Sequence, residues 1–484
     1  MSNAKAPSFS KSVRFSPQSQ RLPKLAGGAL LLGSALAASA TAYAQSAAGP
    51  VPQPAGDSLS YKGLTLYGIV DIGLQYETNG APFSDYFPAG SADVVQKNSN
   101  GSQFGATPNN LSQSRIGLQG IEPLGAEAGD WNAIFRLETY FNPQSGDISD
   151  ALKSLTLNNG RTAATQTTNL DSSIAGQMFE QSFVGLSSAT YGSVTFGRQN
   201  TILADGVAKY DPQGASQAFS LIGLSGTTAG GGDTQDRRLD NSLKYVHAFN
   251  GFHVAAEYKF NGASGEANTA YQVMLGGEVL GASVDAFFVK VRDAVSASAL
   301  SAAQVAELPT LGYSVSNSLS GTISDNTTFG IMALYNFGAA KVYGGYENIR
   351  FKNPEQGLPA GFDDIGGYKL AFVNNAAFEN TKVLQVYWTG IKYALSPKVD
   401  LTAAVYGYSQ NSYAGGKDAG CSSTLSGACS GNEVAASFSV VYKFTKRFDL
   451  YGGFMYTGVY GGLASGYDFS TTDLDPTIGF RFKF

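Results

Sequence analysis

Alternation of apolar and polar positions, with no helical repeat, organises this chain. In Gly63 to Tyr76, GLTLYGIVDIGLQY, Leu64, Leu66, Val70, Ile72 and Leu74 fall on one face, and Thr65, Tyr67, Asp71 and Gln75 fall on the other. A two-residue period of this kind predicts a strand with one apolar and one polar side. Similar segments follow at 111–121, 129–141, 177–187, 190–199, 237–248, 251–262, 268–279, 281–290, 325–337, 339–351, 379–394, 397–409, 431–444, 446–459 and 473–484, making sixteen predicted strands. Tight connections, among them Phe337-Gly338-Ala339, Ser396-Pro397 and Thr445-Lys446, alternate with long ones. Short turns at one end and long loops at the other mark a transmembrane β-barrel, and an even strand count returns both termini to one side. In the last strand Ile478, Phe480, Phe482 and Phe484 share a face while Arg481 and Lys483 take the opposite one. Aromatics toward lipid and cations toward water is the division a barrel wall requires.

Composition agrees with an all-β chain. Among 484 residues there are 59 Gly, 30 Phe and 26 Tyr, and only 14% are charged. Beyond the N-terminal region no apolar run reaches the roughly 18 residues that a spanning helix needs. A membrane crossing must then be made by strands, and only a closed barrel satisfies strand backbones in lipid. The N-terminal region carries Lys5, Lys11, Arg14, Arg21 and Lys24, then a short apolar stretch over 25–38, then Ala42-Tyr43-Ala44 before Gln45. This reads as a secretory signal peptide over 1–44, followed by a short periplasmic segment at 45–62 and a barrel over 63–484. Without those five cations, 27 basic residues face 37 acidic ones. An acidic balance of that size argues against nucleic acid as a partner.

One connection stands apart. Thr201 to Asp236 is long, lacks a strand period and joins two clear strands. Loops of that length are usually functional, and in a barrel the lumen is the place where this one, Thr201 to Asp236, would fold inward and set the pore width. By strand parity Arg115, Arg136 and Lys244 face inward, Arg238 sits at the mouth of its strand, and Arg198 points inward only if its strand end is bulged. The loop supplies Asp205 and Asp211, with Asp233 and Asp236 near its exit. A basic wall facing an acidic loop would set up a transverse field across the narrowest section. Each cation alone is equally readable as a solvated lumen residue, and Asp211-Pro212 as a turn. Cys421 and Cys429 are the only cysteines and lie in one glycine- and serine-rich loop, which in an oxidising compartment reads as a disulfide. His247 and His253 are the only histidines and have no nucleophile motif beside them. No catalytic residue, metal or cofactor is expected.

Several runs carry a resemblance along the whole chain: TLYGIVDIGLQY at 65–76, SRIGLQGIEPLG at 114–125, FRLETYFN at 135–142, FVGLSSATYGSVTFGRQ at 183–199 and DNSLKYVHAFNGF at 240–252, with a C-terminal Phe. Together they resemble the Gram-negative general porins of the beta-proteobacterial type. The resemblance implies a sixteen-stranded antiparallel barrel in outer-membrane lipid, usually a homotrimer, with the third extracellular loop folded into a water-filled lumen through which ions and small hydrophilic solutes diffuse. A pore selective for a small organic anion or other nutrient is the alternative, and a barrel hydrolase a more distant one. Phe484, with Phe480 and Phe482, resembles the signal read by the barrel-assembly machinery during insertion. One position departs from the family: Glu180 stands where a basic residue often precedes the Gln of the fourth strand.

Overall fold

The computed structural model describes residues 59–80, 101–144, 146, 179–223, 238–260, 269–298, 302–313, 318–355, 364–365, 368–416, 421, 426–465, 467 and 470–484. All of them belong to the unit Gln45–Phe484. The expected signal peptide at 1–44, residues 45–58 of the segment after it, and residues 224–236 of the long connection, with Asp233 and Asp236, lie outside the described residues.

Sixteen long antiparallel strands form the wall: β1 (Leu64–Glu77), β2 (Arg115–Pro123), β3 (Asn132–Tyr140), β4 (Gln181–Ser188), β5 (Gly192–Asn200), β6 (Arg238–Phe249), β7 (Phe252–Lys259), β8 (Ala270–Val279), β9 (Ala282–Ser298), β10 (Ser318–Phe337), β11 (Ala340–Lys352), β12 (Lys382–Ser396), β13 (Val399–Gln410), β14 (Gly431–Lys443), β15 (Phe448–Gly461) and β16 (Thr472–Lys483). Each pairs with the next, and β16 returns to β1 from Ile69↔Lys483 to Gln75↔Thr477. Phe484 completes the seam by exchanging two backbone hydrogen bonds with Gly68, each 3.0 Å. Closure removes every free edge from the wall, which lipid would otherwise leave unsatisfied.

Alternation decides what each face meets. On β16, Leu474, Ile478, Phe480 and Phe482 are 40–52% exposed, while Asp473, Asp475 and Thr477 are at most 4% exposed. The apolar side is therefore the outside, the reverse of a soluble protein. Near the tight turns the outer face carries an aromatic girdle, in which Phe448 stacks on Phe480 at 5.8 Å and meets Phe444 at 5.6 Å. Rings of this kind sit well at a membrane interface.

The strand expected at 111–121 begins instead at Arg115. Ahead of it Gln103–Pro108 pairs with the far half of β1, from Ile72↔Pro108 to Glu77↔Gln103, and residues 109–114 break the ladder between the two pieces. The cause is local chemistry. Asn109 takes a left-handed φ of 63° and its Oδ1 accepts from Ser114 N–H, while Asp71 Oδ2 accepts from the N–H groups of Leu111 and Ser112. At the long-loop end, β9 and β10 run beyond their expected limits to Ser298 and from Ser318, and the long connection opens with a helix, α1 (Ile202–Tyr210). A second helix, α2 (Ala302–Leu311), lies between β9 and β10.

Gly68 shows how tightly the seam is made. A Cβ at this position would lie 2.3 Å from Cζ of the Phe484 ring, so the terminal ring rests where only a glycine leaves room. Gly68→Val should push the ring off the seam and cost about 1–3 kcal/mol, the usual penalty for overpacking. The folded, fast-migrating form on a detergent gel should then be lost at a lower temperature than in wild type, whereas Gly101→Val, with open space around it, should leave that temperature unchanged. Equal loss temperatures for all three proteins would show that the ring contributes nothing to closure.

Candidate functional site

Residues 201–223 of the long connection lie against the inward faces of the staves, where Ile202, Leu203, Val207 and Tyr210 join one apolar cluster with Phe287, Met332, Ile349, Val386 and Trp388 of the wall. Thr201 caps α1 with its hydroxyl, accepting from Ala204 N–H at 3.0 Å. The next free amides of the first turn are taken by the wall, Ile202 N–H by Glu257 of β7 and Leu203 N–H by Gln272 of β8, both at 3.1 Å. At the other end Trp388 of β12 donates to the Tyr210 carbonyl at 3.0 Å, and the Tyr210 hydroxyl donates to Asp285 of β9 at 2.6 Å. A helix end without such partners would bury orphan amides and carbonyls. Ile202, Leu203, Val207 and Tyr210 are buried against the wall, while Asp205 and Ala208 are exposed.

After α1 the chain continues along β12 to β15. Asp211 is buried, with Oδ1 accepting from the Tyr406 hydroxyl at 2.7 Å and Oδ2 from Ala215 N–H at 2.6 Å. Burial pushes its carboxyl above the usual range, opposed by hydrogen bonds that favour the ionised form. Gln213 reaches Ser437 and Ser439 of β14, and Tyr408 donates to the Leu221 carbonyl. Phe219 meets Tyr451 of β15 edge-on at 6.4 Å. Ala218 N–H then bonds Asn110 O at 2.9 Å, and Gln217 bonds Gln113 at 2.7 Å. The break in the ladder at 109–114 thus serves as the landing for the end of the loop.

Opposite the loop lies the wall that the sequence marked as basic, on β2, β3 and β6. Glu138 is its centre: it accepts from Tyr67 and Gln181, each at 2.9 Å, and pairs with Arg115 at 3.9 Å. Arg136 donates to Gln119 at 3.0 Å and lies over the rings of Tyr67 and Phe183 at 5.8 and 5.9 Å. Among the described residues it has no carboxylate within ion-pair distance. Arg238 sits 2.7 Å from Glu180 and 4.6 Å over Tyr140. The condition set for Arg198 is met, since the ladder shifts between Gly197 and Gln199. Its guanidinium reaches Asp240 at 2.7 Å and Glu180 at 3.6 Å. Lys244 pairs with Asp205, and lies directly across the ladder from Glu257.

The two loop acids expected to face Arg115 and Arg136 have different surroundings. Asp205 is held by Lys244, and Asp211 turns away into β13, because its turn needs an acceptor that Tyr406 and two amides can satisfy. The residues that reasoning from the sequence missed are the carboxylates Glu138 and Glu257. Glu138 shares inward parity with Arg136 on the same strand, so a count of acids by parity would have found it. Cys421 and Cys429 are joined as a disulfide. His253 bonds Asp285 at 2.8 Å within the cluster that anchors α1, and His247 stacks on Phe249 at 5.0 Å.

The family model for Gram-negative porins matches residues 29–460. An outer membrane porin protein of Bordetella pertussis is 29% identical over 221 residues, 45% of this chain and 48% of that protein. Outer membrane porin protein 32 of Delftia acidovorans is 25% identical over 314 residues, 64% of this chain and 68% of that protein. The match thus spans about half the length of the first relative and about two thirds of the second. Among solved structures, in-vitro folded OmpT, an outer membrane protein of Vibrio cholerae, superposes with a TM-score of 0.52 at 14% identity, covering 89% of this chain and all of that one. Its trimer form gives 0.51 at 15% identity, covering 87% and 99%. At such identities the likeness speaks for the fold alone.

Charge compensation separates the cations. Arg136→Gln should shift the zero-current potential in a salt gradient toward cations by more than Arg238→Gln, because Glu180 already neutralises Arg238. The Arg136 effect is bounded near 1 kcal/mol per unit charge in a wet lumen. Equal shifts would place the selectivity elsewhere. Asp211→Asn should instead leave selectivity unchanged and loosen the loop by about 1–3 kcal/mol, read as larger fluctuations in open-channel current.

Proposed function

The chain belongs to the Gram-negative porin family and is an integral outer-membrane barrel, and on that premise we propose that its lumen is a water-filled channel for passive diffusion of ions and small hydrophilic solutes. The observation that supports this reading is the loop 201–223, fastened by side chains of β7 to β15; on this reading the opening lies between its free edge and the wall of β2, β3 and β6. A lumen lined by Gln119, Arg136, Gln181 and Asp205 keeps water in the gap and disfavours apolar solutes. Membership of the family, and relatives named as porins, point to a channel and not to an enzyme. His253 accordingly serves to position Asp285 under α1.

Between a general pore and one selective for a small organic anion, the pairing of charge favours the general pore. Arg115, Arg198, Arg238 and Lys244 each have a carboxylate beside them, so the field across the eyelet is local and short-ranged. Homotrimer assembly is part of the same proposal, as is recognition of Phe480, Phe482 and Phe484 by the barrel-assembly machinery. Those three residues then act before the barrel closes, and the Phe484 seam described above is their folded destination. The signal peptide at 1–44 would deliver the chain to that machinery.

Reconstitution into a planar bilayer tests the reading. Discrete ohmic steps are expected, and deletion of residues 212–223 should raise the step size and admit larger sugars in liposome swelling. Absence of steps from folded, heat-modifiable protein would overturn the channel, while unchanged step size after the deletion would remove the loop from the constriction.

A further inference from the structure

Away from the eyelet, at the end of the lumen next to the tight turns, the charge balance changes. Lys341, Lys392 and Lys443 project inward from β11, β12 and β14: Lys341 shares the parity of buried Glu347, Lys392 that of Trp388, and Lys443 that of Ser439. Lys341 and Lys392 are directly opposite in the β11–β12 ladder. Like charges so placed repel. Lys392 and Lys443 both turn to one oxygen of Asp400, at 3.4 and 2.8 Å, and Lys341 has no carboxylate within ion-pair distance among the described residues. The lysines at 392 and 443 remain about two-fifths exposed, at 41% and 39%. Each ammonium carries three donors, of which Asp400 uses one. The acids on neighbouring elements are already engaged: Asp449 by Arg481 and Lys483, Asp285 by Lys209 and His253, and Glu278 by His253. Asp71 is held by Tyr451 and two amides.

From this juxtaposition we infer that Lys341, Lys392 and Lys443 form a weak oxyanion-binding station at the tight-turn end of the channel, where a small solute bearing a phosphate or carboxylate group bridges the lysines that Asp400 leaves undersaturated. The station rests on the channel reading above. It is wet and shallow, so the anion lingers and leaves, which conduction requires. Asp400 is the competing internal anion: it keeps Lys392 and Lys443 together and limits how tightly a passing oxyanion is held.

Inorganic phosphate is the probe. In single-channel recordings in chloride, phosphate should reduce chloride current in wild type. Lys341→Gln and Lys392→Gln should weaken that block by about two- to five-fold, the range an exposed ion pair supports. Asp400→Asn should strengthen it by a similar factor, an outcome that a merely structural Asp400 would not produce. Lys341→Gln, which breaks no ion pair, keeps the test alive if the other variants fold poorly. Phosphate block equal in all proteins, or weakened by Asp400→Asn, overturns the station. Chloride current is present in either case if the channel reading holds, so loss of all current would instead indict that reading.

Discussion

Everything in this molecule depends on the cost of an unpaired backbone group in lipid. A strand whose N–H and C=O groups have no partner in hydrocarbon loses several kcal/mol for each, so the wall has to close, and closure at Gly68 and Phe484 is as much a part of the fold as any strand. Once the wall is closed, the alternation of side chains sorts itself. Leu, Val and aromatic residues occupy the lipid side, and the interior is left to Asp, Glu, Gln, Ser and Thr together with an apolar patch, Met332, Ile349, Leu384, Val386 and Trp388 among it, that the loop covers. That patch is buried by residues 201–223, which bring Ile202, Leu203, Val207, Tyr210, Leu221 and Ile222 against it.

The loop meets the same requirement by different means. Its backbone is taken out of bulk water, and the wall supplies the missing partners: Glu257 and Gln272 for the first amides of α1, Trp388 for its last carbonyl, Tyr408 for Leu221 and Asn110 for Ala218. These are wall residues that a pore does not need for conduction. They make an inward loop satisfied in its hydrogen bonds, and their placement on β7, β8, β12 and β13 and at the β1–β2 break holds the loop at many points. Position of the free edge, and hence of Asp205, follows from that fastening.

Electrostatics in the lumen is organised by pairing rather than by blocks of one sign. Where cations and carboxylates alternate, as around Glu138 and Glu180, the charges steer water and fix side chains in place. Where lysines outnumber their carboxylate, as around Asp400, charge is left over for a solute. The difference arises from register: Lys244 faces Glu257 across its ladder, whereas Lys341 faces Lys392.

How much of this was legible beforehand follows the range of the interactions involved. Strand number, the facing of Leu64, Leu66 and Ile72, the inward set of Arg115, Arg136 and Lys244, and the cysteine pair all follow from period-two parity and short spacing, which are properties of the chain read locally. The bulge that turns Arg198 is legible only as a condition, because it depends on how Gly197 and Gln199 meet Ser242 and Leu239 across the ladder. The break at 109–114 and the helix 202–210 were not legible. The first needs Asp71 from another strand to hold Leu111 and Ser112, and the second is nine residues long, too short to be marginally stable by itself and formed because Glu257, Gln272 and Asp285 receive its ends. Asp205 and Asp211 were found as loop acids but their partners were not, since Lys244 lies 39 residues from the first and Tyr406 195 from the second. Local alternation sufficed to determine the wall; only the closed barrel, by bringing distant staves around one loop, decided what the lumen does with its charge.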